Sequence, residues 1–271
     1  MVGLYNLPDD EDQFTTDYAD QNVLALDHSI EEGIHREGNI ATPYLDHLGH
    51  PTIGIGLLLS KDGRVHNEKI LKRHLAESFK NNIELGEDAD PEIEAADPEI
   101  AAQDVYKRIM AQGEQLKEYR AKHGVKGPNG LTSYQKSPAW TDQAVTLPED
   151  LRMRIYEEIM QKKQTEVLNL YGDLNLNYLH ISTLTDIQFQ GPSMIGRKTR
   201  FYKALTDPNG PRWNDAIWEV LYDSGDTCTR NKKRARDLDM ANGGDGVAIN
   251  TTYPYRPFPP GVPKGHNSKC N

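Results

Sequence analysis

The chain has 271 residues, 27% of them charged and 37% hydrophobic, with a mean hydropathy of -0.72, enough to bury a sizeable core in one large or two smaller domains. No apolar run approaches the roughly 20 residues of a membrane span. A net charge of -10 excludes both the basic footprint of a nucleic-acid binder and electrostatic attraction to an anionic cell surface.

The opening MVGLYNLPDDEDQF has neither the basic head nor the apolar segment of a secretory signal, so synthesis in a cytoplasm with no export route of its own is the expectation. Residues 1–20 read as an N-terminal extension. Gln21 to Arg36 reads as a helix, with Val23, Leu26, Ile30 and Ile34 at helical spacing and Gly38 placed to end it. Tyr44 to Leu59 changes to turn and strand, Gly49 lying in the turn and Thr52 to Leu58 alternating. Glu68 to Asn81 is helical again.

Residues 84 to 104, ELGEDADPEIEAADPEIAAQD, hold nine acids and no base. DPEI occurs there twice, seven residues apart, which is too few copies for a repeat architecture. Pro91 and Pro98 suit first-turn helix positions with acids around them, so a solvated loop or helix start accounts for the stretch. Residues 105 to 122 read as helix, and KHGVKGPNGLTSYQKSPAW as loop.

From Leu147 onward nearly everything is helical: 151 to 170 after an LPED start, then 176 to 190, 197 to 206, 212 to 223 and 230 to 241. The ending TTYPYRPFPPGVPKGHNSKCN is proline-rich and expected to be extended. The whole is an α+β chain with a small mixed lobe, a polar acidic insertion at about 62–146, a helical lobe reaching residue 245 and a tail over 246–271. A cleft between two lobes would suit a long substrate.

Cys228 and Cys270 provide neither a disulfide framework nor a CxxC-type zinc site; pairing with each other, free thiols and intermolecular bonds all stay open. The nine histidines show no HExxH pattern, and His47-x-x-His50 fits a solvated turn better than a metal site. No cofactor is implied.

The chemistry concentrates in HREGNIATPYLDHLGHPTIGIG, residues 35 to 56. In a continuous strand Thr52, Gly54 and Gly56 share one face and Ile53, Ile55 and Leu57 the other. The glycine face would let a ligand approach the backbone, with Thr52 as its hydroxyl. Glu37 sits at the negative end of a helix, where a second negative charge is disfavoured, so a protonated carboxyl suited to general-acid work is the expectation. Asp46, in a polar turn, is its ionised partner. Two carboxyls in different environments are what glycoside hydrolysis requires.

That stretch resembles the phage-type lysozymes, the T-even phage lysozyme family of glycoside hydrolase family 24. Their signature is Glu-Gly, a fixed gap, Tyr-x-Asp, a glycine turn and Thr-Ile-Gly-x-Gly. Here Glu37-Gly38, Tyr44-x-Asp46, Gly49 and Thr52 to Gly56 fall at the family spacing without a gap. The similarity resumes in DIQFQGPSMIGRKTRFYKAL, RWNDAIWEVLYDS and TRNKKRARD, covering about 160 residues in two blocks.

The resemblance implies a lysozyme-like fold with a short antiparallel sheet, a larger helical lobe and a cleft between them, residues 21–245 forming the catalytic domain. It implies hydrolysis, with inversion, of the bond from N-acetylmuramic acid to N-acetylglucosamine. Glu37 would be the general acid, Asp46 would position or activate the water and Thr52 would help to hold it. Gly56, Phe189 and Gln190 match positions that contact the sugar chain, and Arg234 matches an arginine that pairs with the catalytic glutamate.

Several neighbouring residues suit plainer roles. Glu31-Glu32-Gly33 is too far from Asp46 to be the motif, and both acids read as surface charges. Phe189 could equally be core; Trp213 and Trp218 read as helix packing. Arg230, Lys232, Lys233 and Arg236 form a solvated face with Arg234 inward.

The chain departs from the family at Leu57, where a histidine is usual, and in its leading residues, insertion and tail. The extra segments and acidic charge favour a lysozyme built into a phage tail, which acts locally on the cell wall of the periplasm and docks on tail or baseplate proteins. A free endolysin, a non-catalytic lysozyme-fold tail protein and a toxin are the competing readings. Glycan strands of peptidoglycan are the expected partner, with no nucleic acid and no membrane.

Overall fold

A computed structural model describes residues 18–46, 48–81, 97–124, 135, 140, 143–222 and 228–244. The described chain is α+β, mostly helical with small antiparallel sheets. Its contacts divide it into two units, Ile30–Ile159 and Met1–Ser29 with Met160–Asn271. The proline-rich tail, most of the N-terminal extension, Pro91, His47 and Cys270 lie outside the described residues, as does the side chain of Cys228. Among the described residues no helix is long and apolar enough to cross a membrane.

The unit of residues 30–159 is built on a hairpin. Helix α1 (Tyr18–Glu37) ends at Gly38, whose φ of 75° only glycine adopts cheaply, with the Gly38 amide donating to the Ile34 carbonyl at 3.1 Å. Strands β1 (Ile40–Leu45), β2 (Pro51–Gly54) and β3 (Leu57–Leu58) follow in sheet order β1-β2-β3. Strands β4 (Ser60–Lys61) and β5 (Arg64–Val65) make a second antiparallel pair.

The expected single strand from Thr52 to Leu58 is instead two strands and a turn. Gly54 and Gly56 have φ of 64° and 67°, which reverses the chain and pairs Thr52 with Leu58 and Ile53 with Leu57. Alternation in sequence looks the same whether or not two glycines turn the chain between strands.

Helices α2 (Glu68–Lys80), α3 (Pro98–His123) and the first part of α4 (Glu149–Tyr171) complete this unit. The stretch expected as a polar insertion thus supplies core: Leu71, Leu75, Val105, Ile109 and Leu116 are buried, each worth roughly 1.5–3 kcal/mol when fully removed from water. Helix α3 begins about two turns before the expected residue 105. Pro98 stands in its first turn, as its setting among acids suggested, and the Asp97 side chain caps the helix by accepting from the Glu99 amide at 2.9 Å.

The second unit packs helices α5 (Tyr178–Gln190), α6 (Arg200–Leu205), α7 (Trp213–Tyr222) and α8 (Cys228–Ala241). Leu184, Ile187, Phe201, Ile217 and Leu238 are among its buried apolar residues. Helix α5 is buried at every position from His180 to Gln188, as a central helix must be. Asn177 caps it in a reciprocal pair with His180. Trp218 is buried and Trp213 packs against this core, as expected of helix-packing aromatics.

Candidate functional site

The site is assembled at the end of α1 and along the β1–β2 hairpin. Glu37, the last residue of α1, is half-buried. Its side chain lies on the backbone of Gly56: a Cβ built there would stand 3.1 Å from both Cγ and Oε2 of Glu37 and 3.3 Å from Cδ. Gly56 is therefore fixed twice, by its left-handed turn and by the carboxyl resting on it.

Across the hairpin, Tyr44 of β1 pairs in register with Thr52 of β2, so the two side chains share a face. Burial holds the Tyr44 phenol well above the ordinary tyrosine range, the charges of Glu37 and Asp46 raise it further, and a hydrogen bond from the Gly56 amide opposes them. The phenol thus stays protonated beside both carboxyl groups. In the sequence Tyr44 is only a spacing marker; its register opposite Thr52 is the signal that could have singled it out.

Asp46 closes the turn. Its amide donates to the His50 carbonyl at 2.9 Å and its carbonyl accepts from Gly49 at 2.9 Å. Its Oδ1 accepts from the amides of Leu48 at 2.9 Å and His50 at 2.8 Å. Two backbone donors on one oxygen lock the carboxylate's orientation.

Thr52 is buried, with 3% of its surface exposed, rather than lying on an open glycine face as its alternation implied. Its hydroxyl donates to the His50 carbonyl at 3.0 Å. A threonine hydroxyl has one proton and two lone pairs, so this one is left to accept. Gly54 is likewise covered, by the aliphatic stem of Arg152, 3.5 Å from where its Cβ would be.

Glu37, Tyr44, Asp46, Thr52 and Gly56 thus come together within the 30–159 unit. The remaining expected residues belong to the other unit. Phe189 and Gln190 end α5, both half-buried. Arg234 of α8 is 1% exposed. Within its unit its guanidinium donates to Asp186 Oδ2 at 2.6 Å, to the Asp186 carbonyl at 3.3 Å, to Gln190 Oε1 at 3.4 Å and to Asn231 Oδ1 at 3.5 Å. Nothing in the helical periodicity points to Asp186 as the partner of Arg234.

Glu31 is exposed, as expected of a surface acid, whereas Glu32 is half-buried and pairs with Arg36 at 2.7 Å. Gly33, beside them, is instead a packing residue: a Cβ there would come within 1.6 Å of the Tyr156 hydroxyl. Among the described residues no group of three or more His, Cys, Asp or Glu could hold a metal ion.

No family model, curated protein or solved structure matches this chain.

Proposed function

We propose that the chain is a muramidase, hydrolysing the β-1,4 bond from N-acetylmuramic acid to N-acetylglucosamine in peptidoglycan with inversion. The observation that carries the reading is the Glu37 carboxyl seated on Gly56, sharing the Tyr44 phenol with an Asp46 fixed by two turn amides. Glu37 gives its proton to the glycosidic oxygen as the bond breaks. Asp46, with Oδ1 occupied, uses Oδ2 to orient the attacking water and take its proton. Thr52, its own proton held by His50, accepts a hydrogen bond from that water and sets its direction. The bare backbone of Gly56 lies against the sugar chain; Phe189 and Gln190 are sugar-contact candidates of the helical unit, where Arg234 holds Asp186.

The place of action in this reading is a phage tail, opening the wall locally. Its support is the charge of -10, which disfavours free searching of an anionic surface, together with acidic and proline-rich segments that the hydrolysis does not use.

The test is turbidity loss of purified, outer-membrane-stripped cell walls. The wild-type chain should clear them, and Glu37→Gln should clear them roughly a hundred- to ten-thousandfold more slowly, the usual worth of a positioned general acid. Equal clearing by both would remove Glu37 from the chemistry. Clearing by neither would favour the non-catalytic scaffold.

A further inference from the structure

We propose that Arg120 is a substrate-binding residue that takes a carboxylate of the wall polymer beside the catalytic hairpin, an assignment that rests on the muramidase reading. Arg120 lies on the face of α3 that also carries Gly113 and Leu116, three and four residues apart along the helix. That face is held tightly against the hairpin. A Cβ on Gly113 would stand 2.7 Å from Pro51 Cβ at the start of β2, and the fully buried Leu116 packs with Leu45 of β1 and with Trp140.

One turn further on, the Arg120 guanidinium rests on Gly49, in the turn that Asp46 organises. A Cβ at Gly49 would come within 2.2 Å of its Nη1 and 3.1 Å of its Cζ. Gly49 has φ of 92°, so this turn needs glycine for its backbone and leaves it bare for the guanidinium.

The guanidinium is half-buried and has no hydrogen bond or ion pair among the described residues. Other arginines of the same unit are engaged: Arg36 with Glu32, Arg73 with Glu158 and Arg154 with Asp150. A favourable charge at the C-terminus of α3 would not by itself account for Arg120, because Lys122 and His123 stand in the same last turn. A planar cation without a carboxylate among the described residues, on the turn that holds the catalytic aspartate, is built to receive one. Peptidoglycan offers carboxylates on the stem peptide and, where the peptide is removed, on the lactyl group of the muramyl residue.

The experiment measures binding, so that it does not depend on turnover. Glu37→Gln and Glu37→Gln with Arg120→Ala or Arg120→Lys are sedimented with insoluble peptidoglycan sacculi in three forms: intact, with all carboxyls capped as amides, and with peptides removed by an amidase. Arg120→Ala should weaken binding to intact sacculi roughly tenfold, the worth of a charge-assisted hydrogen bond. Arg120→Lys should recover part of it, and capped sacculi should bind all three alike.

A difference that disappears on amidase-treated sacculi places the carboxylate on the peptide, and one that grows there, where lactyl carboxylates are newly exposed, places it on the lactyl group; both uphold the proposal. Unchanged binding by Arg120→Ala overturns it. So does an equal loss on capped sacculi, or a loss that lysine does not mend and that comes with a lower melting temperature. If wild type fails to clear walls while the Arg120 difference stands, the catalytic reading falls and the binding site remains.

Discussion

The two units solve the problem of bringing groups close together in opposite ways. In residues 30–159 the close approaches are made to glycines: Glu37 on Gly56, Arg120 on Gly49, Tyr156 on Gly33 and Pro51 on Gly113. In the helical unit the polar side chains themselves go inside, where Ser182, Thr183, Thr185, Asp186, Asn231, Arg234 and His180 are all buried. At Gly56 and Gly49 such contacts leave half-buried polar heads, the Glu37 carboxyl and the Arg120 guanidinium, whereas at Gly33 and Gly113 they close the packing. Buried polar groups are committed to one another and specify a packing. Altering a carboxyl should therefore cost turnover at Glu37 and stability at Asp186.

The largest stability effect should come from Asp186→Ala. It removes the carboxylate 2.6 Å from a guanidinium that is 1% exposed, and breaking a buried pair from one side costs roughly 3–5 kcal/mol. A urea titration should show the loss in full, whereas the isosteric Glu37→Gln, at a half-buried carboxyl, should lose markedly less. An Asp186→Ala chain as stable as its parent would break the comparison.

His180 sharpens it through pH. Burial pulls its pKa from 6.5 down to about 4, and the nearby Asn242 amide only partly offsets this; Nε2 makes no hydrogen bond of ordinary geometry, and the ring lies 4.3 Å from the Trp213 ring. The folded state thus holds the neutral ring and the unfolded chain takes the proton first. The stabilisation is complete above about pH 6.5 and is lost as pH falls toward 4, a total of roughly 3 kcal/mol. His180→Gln keeps a capping-box residue at that position and removes the titration. Its unfolding free energy should fall less steeply than wild type between pH 6.5 and 4; identical slopes would clear His180 of the effect.

What could be read from the sequence follows the same division. Helices α1, α2, α4, α5, α7 and α8 were legible because a 3.6-residue apolar period is local, and their observed bounds differ from the expected ones by a few residues at most. Glu37, Asp46, Thr52 and Gly56 were legible because their spacing is local too. The β2–β3 turn was not, since positive φ at two glycines leaves no mark on alternation. Neither was the choice of Asp186 for Arg234, Arg120 for Gly49 or Tyr156 for Gly33. Each joins segments 48 or more residues apart, and only the packed chain decides which of many polar or aromatic side chains arrives.

Gly33 gives the smallest effect and the sharpest sign. It lies inside α1, where replacing glycine by alanine ordinarily gains about 1 kcal/mol in helix propensity. Here the new Cβ would stand 1.6 Å from the Tyr156 hydroxyl and 2.6 Å from its Cζ. Tyr156 is 2% exposed, so its ring has little room to swing away, and overpacking of this kind costs roughly 1–3 kcal/mol. The clash is with a rigid ring rather than the loose end of a long chain, so it should outweigh the propensity gain. Gly33→Ala should melt below wild type, by up to about 2 kcal/mol net. Tyr156→Phe, which removes the nearest atom but leaves Cζ, should recover only part of that loss in the double variant. A Gly33→Ala chain that melts above wild type would mean that the helix yields at this point and that glycine is there for bending rather than for contact.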